Sequence, residues 1–179
     1  MAQHCSSLPT PRGAVTIRPA TEADAPTYRD LRLEALHDCP EAFSSDYETY
    51  VAKPLSYWAD RLKADQTVKL YFAAHEGQLV GMCGIAGADS PKTRHSAYIV
   101  SVYVRPDWRG LHIAEALIDA CLGWGRAHGI TIVKLGVAVT NIAAIRCYAR
   151  SGFHVYGIEP QALYHDSVFY DELLMARRT

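Results

Sequence analysis

The segment Val102-Tyr103-Val104-Arg105-Pro106-Asp107-Trp108-Arg109-Gly110-Leu111-His112-Ile113-Ala114-Glu115-Ala116-Leu117 passes from a β-branched and aromatic run, through a turn with proline and glycine, into a helical repeat. Pro106 ends the strand, and Gly110 accepts the positive φ of a tight turn. Beyond the turn, Ile113, Leu117, Ala120, Cys121 and Trp124 recur at helical spacing over residues 111–128, and Gly129 supplies the stop. A strand that feeds a helix this way leaves the first amide N–H groups of the helix without an internal partner. Those donors and the helix dipole suit a phosphate or pyrophosphate, and Arg109 adds a full charge. Strand, turn and helix recur throughout α/β proteins, so a mere connection explains the same residues equally well.

Working outward, residues 97–104 read as a central strand rich in Tyr, Ile and Val. Residues 68–76 and 78–86 are apolar runs separated by Gly77, the pattern of an antiparallel hairpin. Residues 15–19 form a first short strand, and Thr21 with Glu22 and Asp24 starts a helix whose face carries Leu31, Ala35 and Leu36 and which ends before Pro40. Phe43, Tyr47, Tyr50, Tyr57, Trp58 and Leu62 are scattered over one or two short helices in residues 41–65 and suggest a pocket wall. Downstream, residues 130–139 are strand, Asn141 caps a helix that Gly152 terminates, and residues 153–158 and 168–176 close the sheet. This order gives an α/β fold, a mixed sheet covered by helices on its faces, with a crevice where neighbouring strand ends diverge.

A chain of 179 residues with 49% apolar and 21% charged residues fits one soluble domain, here residues 14–179, preceded by a loose tail over residues 1–13. The tail has no apolar core of the kind a secretory signal needs. A formal charge of -1 gives no electrostatic footprint for nucleic acid or an anionic membrane. The longest uncharged stretch, residues 77–88, is interrupted by glycines and far shorter than the roughly 20 residues of a membrane span. Five widely spaced cysteines, an odd number, point to a reducing cytoplasm. No two of the eight histidines are three to five residues apart and none lies near a Cys pair, so no metal site is expected.

Two motifs carry a family resemblance. Arg109-Gly110-Leu111-His112-Ile113-Ala114 resembles the acyl-CoA pyrophosphate loop of the GCN5-related N-acetyltransferase (GNAT) superfamily, whose pattern is Gln or Arg, two residues, Gly, one residue, Gly or Ala. Arg109 and Ala114 match, whereas His112 stands where the family usually has Gly. Either its imidazole points away while its amide still donates, or it adds a proton donor, or cofactor affinity is lost; the first is our expectation. Asn141-Ile142-Ala143-Ala144-Ile145-Arg146-Cys147-Tyr148-Ala149-Arg150-Ser151-Gly152-Phe153 is similar to the family's succession of Asn, Ala, Tyr and Gly-Phe. The resemblance extends over about residues 15–177 and is weakest in residues 41–65.

The resemblance implies a mostly antiparallel sheet with one splayed parallel strand pair and helices on both faces. It also implies direct transfer of an acetyl group from acetyl-CoA to a primary amine of a small molecule or peptide, without an enzyme-bound acyl intermediate. By family position, Val102, Tyr103 and Val104 flank the thioester, with a strand bulge freeing an N–H for its oxygen, and Arg109, Gly110, Leu111, His112, Ile113 and Ala114 hold the pyrophosphate. Asn141 and Ala144 lie beside the pantetheine arm, although Asn141 serves equally as a helix cap. Tyr148, seven residues after Asn141, is the expected general acid toward the departing thiolate; otherwise it is a packing tyrosine.

The carboxylate that many relatives carry on the central strand is missing from Tyr98-Ile99-Val100-Ser101-Val102. Glu34, His75, His95, Tyr98, Glu159 and His165 remain as candidate bases, directly or through water. The aromatic stretch of residues 43–58 and residues 159–165 flank the acceptor, with Glu41, Asp46 and Glu159 available to attract a cation. Edge-strand pairing makes a homodimer an expectation. A non-catalytic acyl-CoA-binding module is the alternative, motivated by His112 and the missing strand carboxylate. A mononucleotide-binding protein would need a glycine-rich loop after the first strand, and Ile17-Arg18-Pro19-Ala20 has none.

Overall fold

In the computed structural model, which describes residues 5–63 and 67–179, eight strands form one sheet in the order β1-β2-β3-β4-β5-β6-β8-β7. The strands are β1 (Ser6–Thr10), β2 (Gly13–Pro19), β3 (Val68–His75), β4 (Gln78–Gly87), β5 (Ser96–Val104), β6 (Ile132–Ala138), β7 (His154–His165) and β8 (Val168–Arg178). The helices are α1 (Ala25–Asp38), α2 (Tyr47–Val51), α3 (Leu55–Asp60), α4 (Ile113–Ala127) and α5 (Ile142–Arg150). Every neighbouring pair is antiparallel except β5 and β6, whose parallel pairing requires the crossover that α4 provides.

The period-two alternation of the strands divides the core between two faces. Tyr71, Ala73, Val80, Cys83 and Ile85 face α4, where Ile113, Leu117, Ile118, Cys121 and Leu122 are buried against them. Leu70, Phe72, Leu79 and Met82 face the opposite layer, built from Tyr28, Leu31 and Ala35 of α1 and Trp58 of α3. At the start of α1 the Asp24 carboxylate accepts from the Thr21 N–H (2.8 Å) and hydroxyl (2.9 Å) and pairs with Arg18 at 2.6 Å. The β3–β4 turn places Glu76 and Gly77 at φ 48° and 80°, the positive pair that a two-residue hairpin requires.

Two irregularities shape β5. Met82 pairs with Tyr103 and Gly84 with Val100, so Cys83 alone faces Ser101 and Val102, and Ser101 takes a φ of 56°. This is the expected bulge, which takes backbone groups of β5 out of the ladder. On its other edge, β5 pairs with β6 only from Ser96 to Tyr98, against Ile132 to Lys134, and the two strands then part.

The loose tail needs correction. Ser6–Thr10 forms β1, paired with β2 from Ser6↔Ile17 to Thr10↔Gly13. Its composition, SSLPT, has little strand propensity, and the open edge of β2 imposes the extended conformation. Residues 1–4 of that tail, and Asp65 at the end of the aromatic stretch, lie outside the described residues. The strand expected at residues 153–158 continues as β7 to His165, and the last strand continues to Arg178.

Candidate active site

The parting of β5 from β6 opens a cavity of about 1250 Å³, bounded by the end of β5, the mouth of α4, α5, the β7–β8 ribbon and the segment after α1. Val102, Tyr103 and Val104 line it from the strand. The Tyr103 hydroxyl lies 3.1 Å from both Glu34 Oε1 and Asp38 Oδ2, and Arg105 clasps the Glu34 carboxylate at 2.9 Å, so the end of β5 is tied to α1.

Arg109, Gly110, His112, Ile113 and Ala114 line the cavity, whereas the side chain of Leu111 packs against the apolar core. Arg109 donates from Nε to the Val104 carbonyl at 3.0 Å, with its guanidinium 5.8 Å from the Tyr103 ring, and so fastens the loop to the strand. Gly110 and His112 both occupy the left-handed region, with φ of 76° and 59°. Among the described residues, none of the five successive N–H groups from Gly110 to Ala114 donates to a protein acceptor. Such a run at the start of a 15-residue helix is built for an anion.

The left-handed geometry explains why glycine is usual at position 112. His112 adopts it and directs its exposed imidazole to Glu115, with Nδ1 3.3 Å from Oε1, an oxygen that also accepts from Arg150 at 2.6 Å. Burial works against ionisation of Glu115, but the bonds from Arg150, its own N–H and His112 prevail and hold the carboxyl below its ordinary range. Arg146 and Arg150, one turn apart on α5, also line the cavity. Their i, i+4 spacing on the helix capped by Asn141 puts both on one face, which is the signal for them in the sequence.

Asn141 Oδ1 accepts the Ala144 N–H at 3.1 Å, so the capping role is realised, and both residues border the cavity. Tyr148 lines it as well. Only 7% exposed, its ring packs edge-on to Phe153, and its hydroxyl makes no hydrogen bond among the described residues. Burial, aided by neighbouring thiols and Glu172, pushes the phenol above its ordinary pKa and keeps it protonated.

Of the six candidate bases, only Glu159 reaches the cavity. Glu34 is held by Arg105, His75 lies 3.0 Å from the Ala14 carbonyl and against Trp108, and His165 lies beside Asp166; neither His95 nor Tyr98 lines the cavity. A carboxylate not singled out from sequence as a base joins Glu159 there. Glu172 on β8 is directly opposite Glu159 on β7, and both line the cavity. Burial and then the charge of Glu159 raise the Glu172 pKa, the direction a proton acceptor near neutrality needs. Gly136 leaves room for it, since a Cβ there would meet Glu172 Oε2.

On the remaining wall, Glu41, Phe43, Ser44 and Ser45, from the segment expected to flank the acceptor, line the cavity along with Arg32 and Arg61. Tyr50, Tyr57 and Trp58 pack behind them, and Asp46 accepts the Thr49 N–H as the cap of α2.

A family model described as the Acetyltransferase (GNAT) family matches residues 30–153. The chain is 27% identical over 150 residues to the L-amino acid N-acetyltransferase AaaT of Escherichia coli, covering 81% of this chain and 89% of that protein. Among solved structures, an acetyltransferase of the GNAT family from Streptococcus pneumoniae superposes with a TM-score of 0.81 at 21% identity, over 92% of this chain and 98% of that one. YncA of Salmonella typhimurium, a putative acetyltransferase solved with its cofactor acetyl-CoA, superposes with a TM-score of 0.74 at 21% identity, over 92% and 93% of the two chains.

Proposed function

The chain belongs to the GNAT acetyltransferase family and is an N-acetyltransferase, and we propose that its cavity joins acetyl-CoA to a primary amine of a small molecule or peptide through the residues described above. The observation that carries these assignments is the run of unpaired N–H groups from Gly110 to Ala114, opening into the same cavity as the β5 bulge, Tyr148 and Glu172. The loop amides, with Arg109, Arg146 and Arg150, hold the diphosphate. A backbone N–H freed at the bulge donates to the thioester oxygen as charge develops on it. Glu172, its basicity raised by burial and Glu159, accepts a proton from the ammonium group and exposes the nitrogen lone pair. As nitrogen bonds to the acyl carbon and the carbon–sulfur bond breaks, the Tyr148 hydroxyl donates a proton to the sulfur, and the proton that nitrogen sheds on becoming an amide returns through solvent to the phenolate.

The reading as a non-catalytic binding module rested on His112 and on the missing strand carboxylate. His112 lines the cavity with its N–H unpaired among the described residues while its ring turns to Glu115, and Glu172 offers a carboxylate from another strand, so neither feature favours that module. We extend the proposal to a cytoplasmic homodimer. Five unpaired cysteines, three of them buried, suit a reducing compartment. The edge strand β7 exposes Val155, Tyr156, Ile158 and Tyr164 as an apolar surface for a second copy, which sedimentation velocity tests.

The deciding experiment measures acetyl-CoA binding by calorimetry and CoA release across a panel of amines. Binding with turnover of at least one amine supports the proposal. Tight binding without release for any amine would restore the module.

A further inference from the structure

Arg32, on the inner face of α1, is 6% exposed and lines the cavity, yet it makes no ion pair or hydrogen bond among the described residues. Its Nη1 is buried without a partner. The guanidinium meets only aromatic faces, 4.4 Å from the Phe43 ring and 6.0 Å from that of Tyr50. Arg61 lines the same cavity; its Nη1 donates to the Tyr57 hydroxyl at 3.2 Å, while its Nε is buried and unsatisfied.

A guanidinium does not shed its proton, so its burial leaves a charge that only an anion can match. Removing such a charge from water is unfavourable when no counter-ion follows it. Burial depresses the Arg32 pKa, and the charge of Arg61 depresses it further. Glu41, on the same wall, pairs with neither. Two adjoining cations facing one cavity, with donors to spare and no carboxylate paired to Arg32 or Arg61 among the described residues, form half of a salt bridge.

Resting on the acetyltransferase reading above, we infer that Arg32 and Arg61 bind the carboxylate of the acceptor, which is therefore a free amino acid and not an uncharged amine or a peptide amino terminus. The aromatic faces of Phe43 and Tyr50 hold the Arg32 fork in place, and planar guanidinium donors match a carboxylate in two-point geometry. The ammonium end of the same molecule meets the opposite sign of charge at Glu159 and Glu172. The cavity thus offers Arg32 and Arg61 from one wall and Glu159 and Glu172 from another, the two signs of charge that a zwitterion pairs with.

The test compares CoA release for each amino acid with its carboxamide, its decarboxylated amine and a dipeptide bearing the same first residue. The expected result is a kcat/KM at least about a hundred-fold higher for the free amino acid, because its analogues leave buried donors unpaired. Arg61→Gln and Arg32→Met, each checked for folding by circular dichroism and for acetyl-CoA binding by calorimetry, bring the acid-to-amide ratio toward one through KM. Should Arg32→Met fail to fold, Arg61→Gln alone carries the comparison. Equal kcat/KM for acid and amide, a preference for the dipeptide, or an unmoved ratio with weakened acetyl-CoA binding overturns the carboxylate assignment and leaves the acetyltransferase reading standing. Absence of CoA release from every amine overturns both.

Discussion

Tyr148→Phe separates chemistry from packing. The hydroxyl has no hydrogen-bond partner among the described residues, so its removal orphans no other group there and changes stability by about 1 kcal/mol or less. The ring keeps its edge contact with Phe153, and α5 keeps its Asn141 cap. Loss of a general acid at the sulfur lowers kcat about 100-fold or more, equivalent to about 2.7 kcal/mol of barrier. Because burial raises the phenol pKa, the wild-type enzyme has no alkaline decline from Tyr148 in the ordinary working range. The assay is thiol release with amine and acetyl-CoA both saturating, alongside thermal unfolding. Acetyl donors with a more acidic thiol need less help, so the deficit of the variant shrinks with them. Unchanged kcat at saturation refutes the acid role, and a large loss of stability with kcat retained makes Tyr148 a packing residue.

Glu172→Gln lowers kcat/KM about 100-fold, and the acid limb of the wild-type profile lies above the ordinary carboxylate value of 4.5, as a pH series measures. The native carboxyl binds its proton more tightly than the unfolded one, so its favourable contribution to stability is present at low pH and is lost as pH rises through the raised native pKa. Unfolding midpoints against pH therefore fall less steeply for Glu172→Gln. Asp24 has the opposite sign: burial favours its protonation, but Arg18 and Thr21 outweigh it and depress the pKa. Its stabilisation is complete above the unfolded value of 3.8 and is lost as pH falls through the native one, and Asp24→Ala costs about 2–3 kcal/mol at neutral pH by denaturant titration. His112→Gly relieves a left-handed φ of 59° and leaves every loop N–H in place, so calorimetry gives an acetyl-CoA affinity within about threefold of wild type, less than 1 kcal/mol.

The order of most strands and helices and the loop at the mouth of α4 are legible from local signals: Pro106, Gly110, Gly129, Asn141 and Gly152 each mark a boundary by their own backbone chemistry, whereas the splayed pair was expected through the family resemblance. The bulge in β5 was expected only through the family resemblance, since nothing in Ser101-Val102 marks it. Features set by long-range placement were not readable. β1 exists because β2 offers an edge, whatever the weak propensity of Ser6–Thr10. Glu172 reads as an ordinary polar position until the β7–β8 register sets it opposite Glu159. Arg32 belongs, by sequence, to a helix rich in charges; only the packing of Phe43 and Tyr50 over it turns a solvated cation into a buried one.

The early end of the β5–β6 ladder has a thermodynamic consequence. A sheet that stops pairing halfway holds main-chain bonding capacity in reserve, and a guest with amides of its own draws on it only while the native form persists. Resistance to denaturation is thus a function of how much donor is in solution, rising by about 2.7 kcal/mol at a hundred times its dissociation constant. A less stable bare protein and a more stable loaded one are the two states expected of the same unfinished sheet.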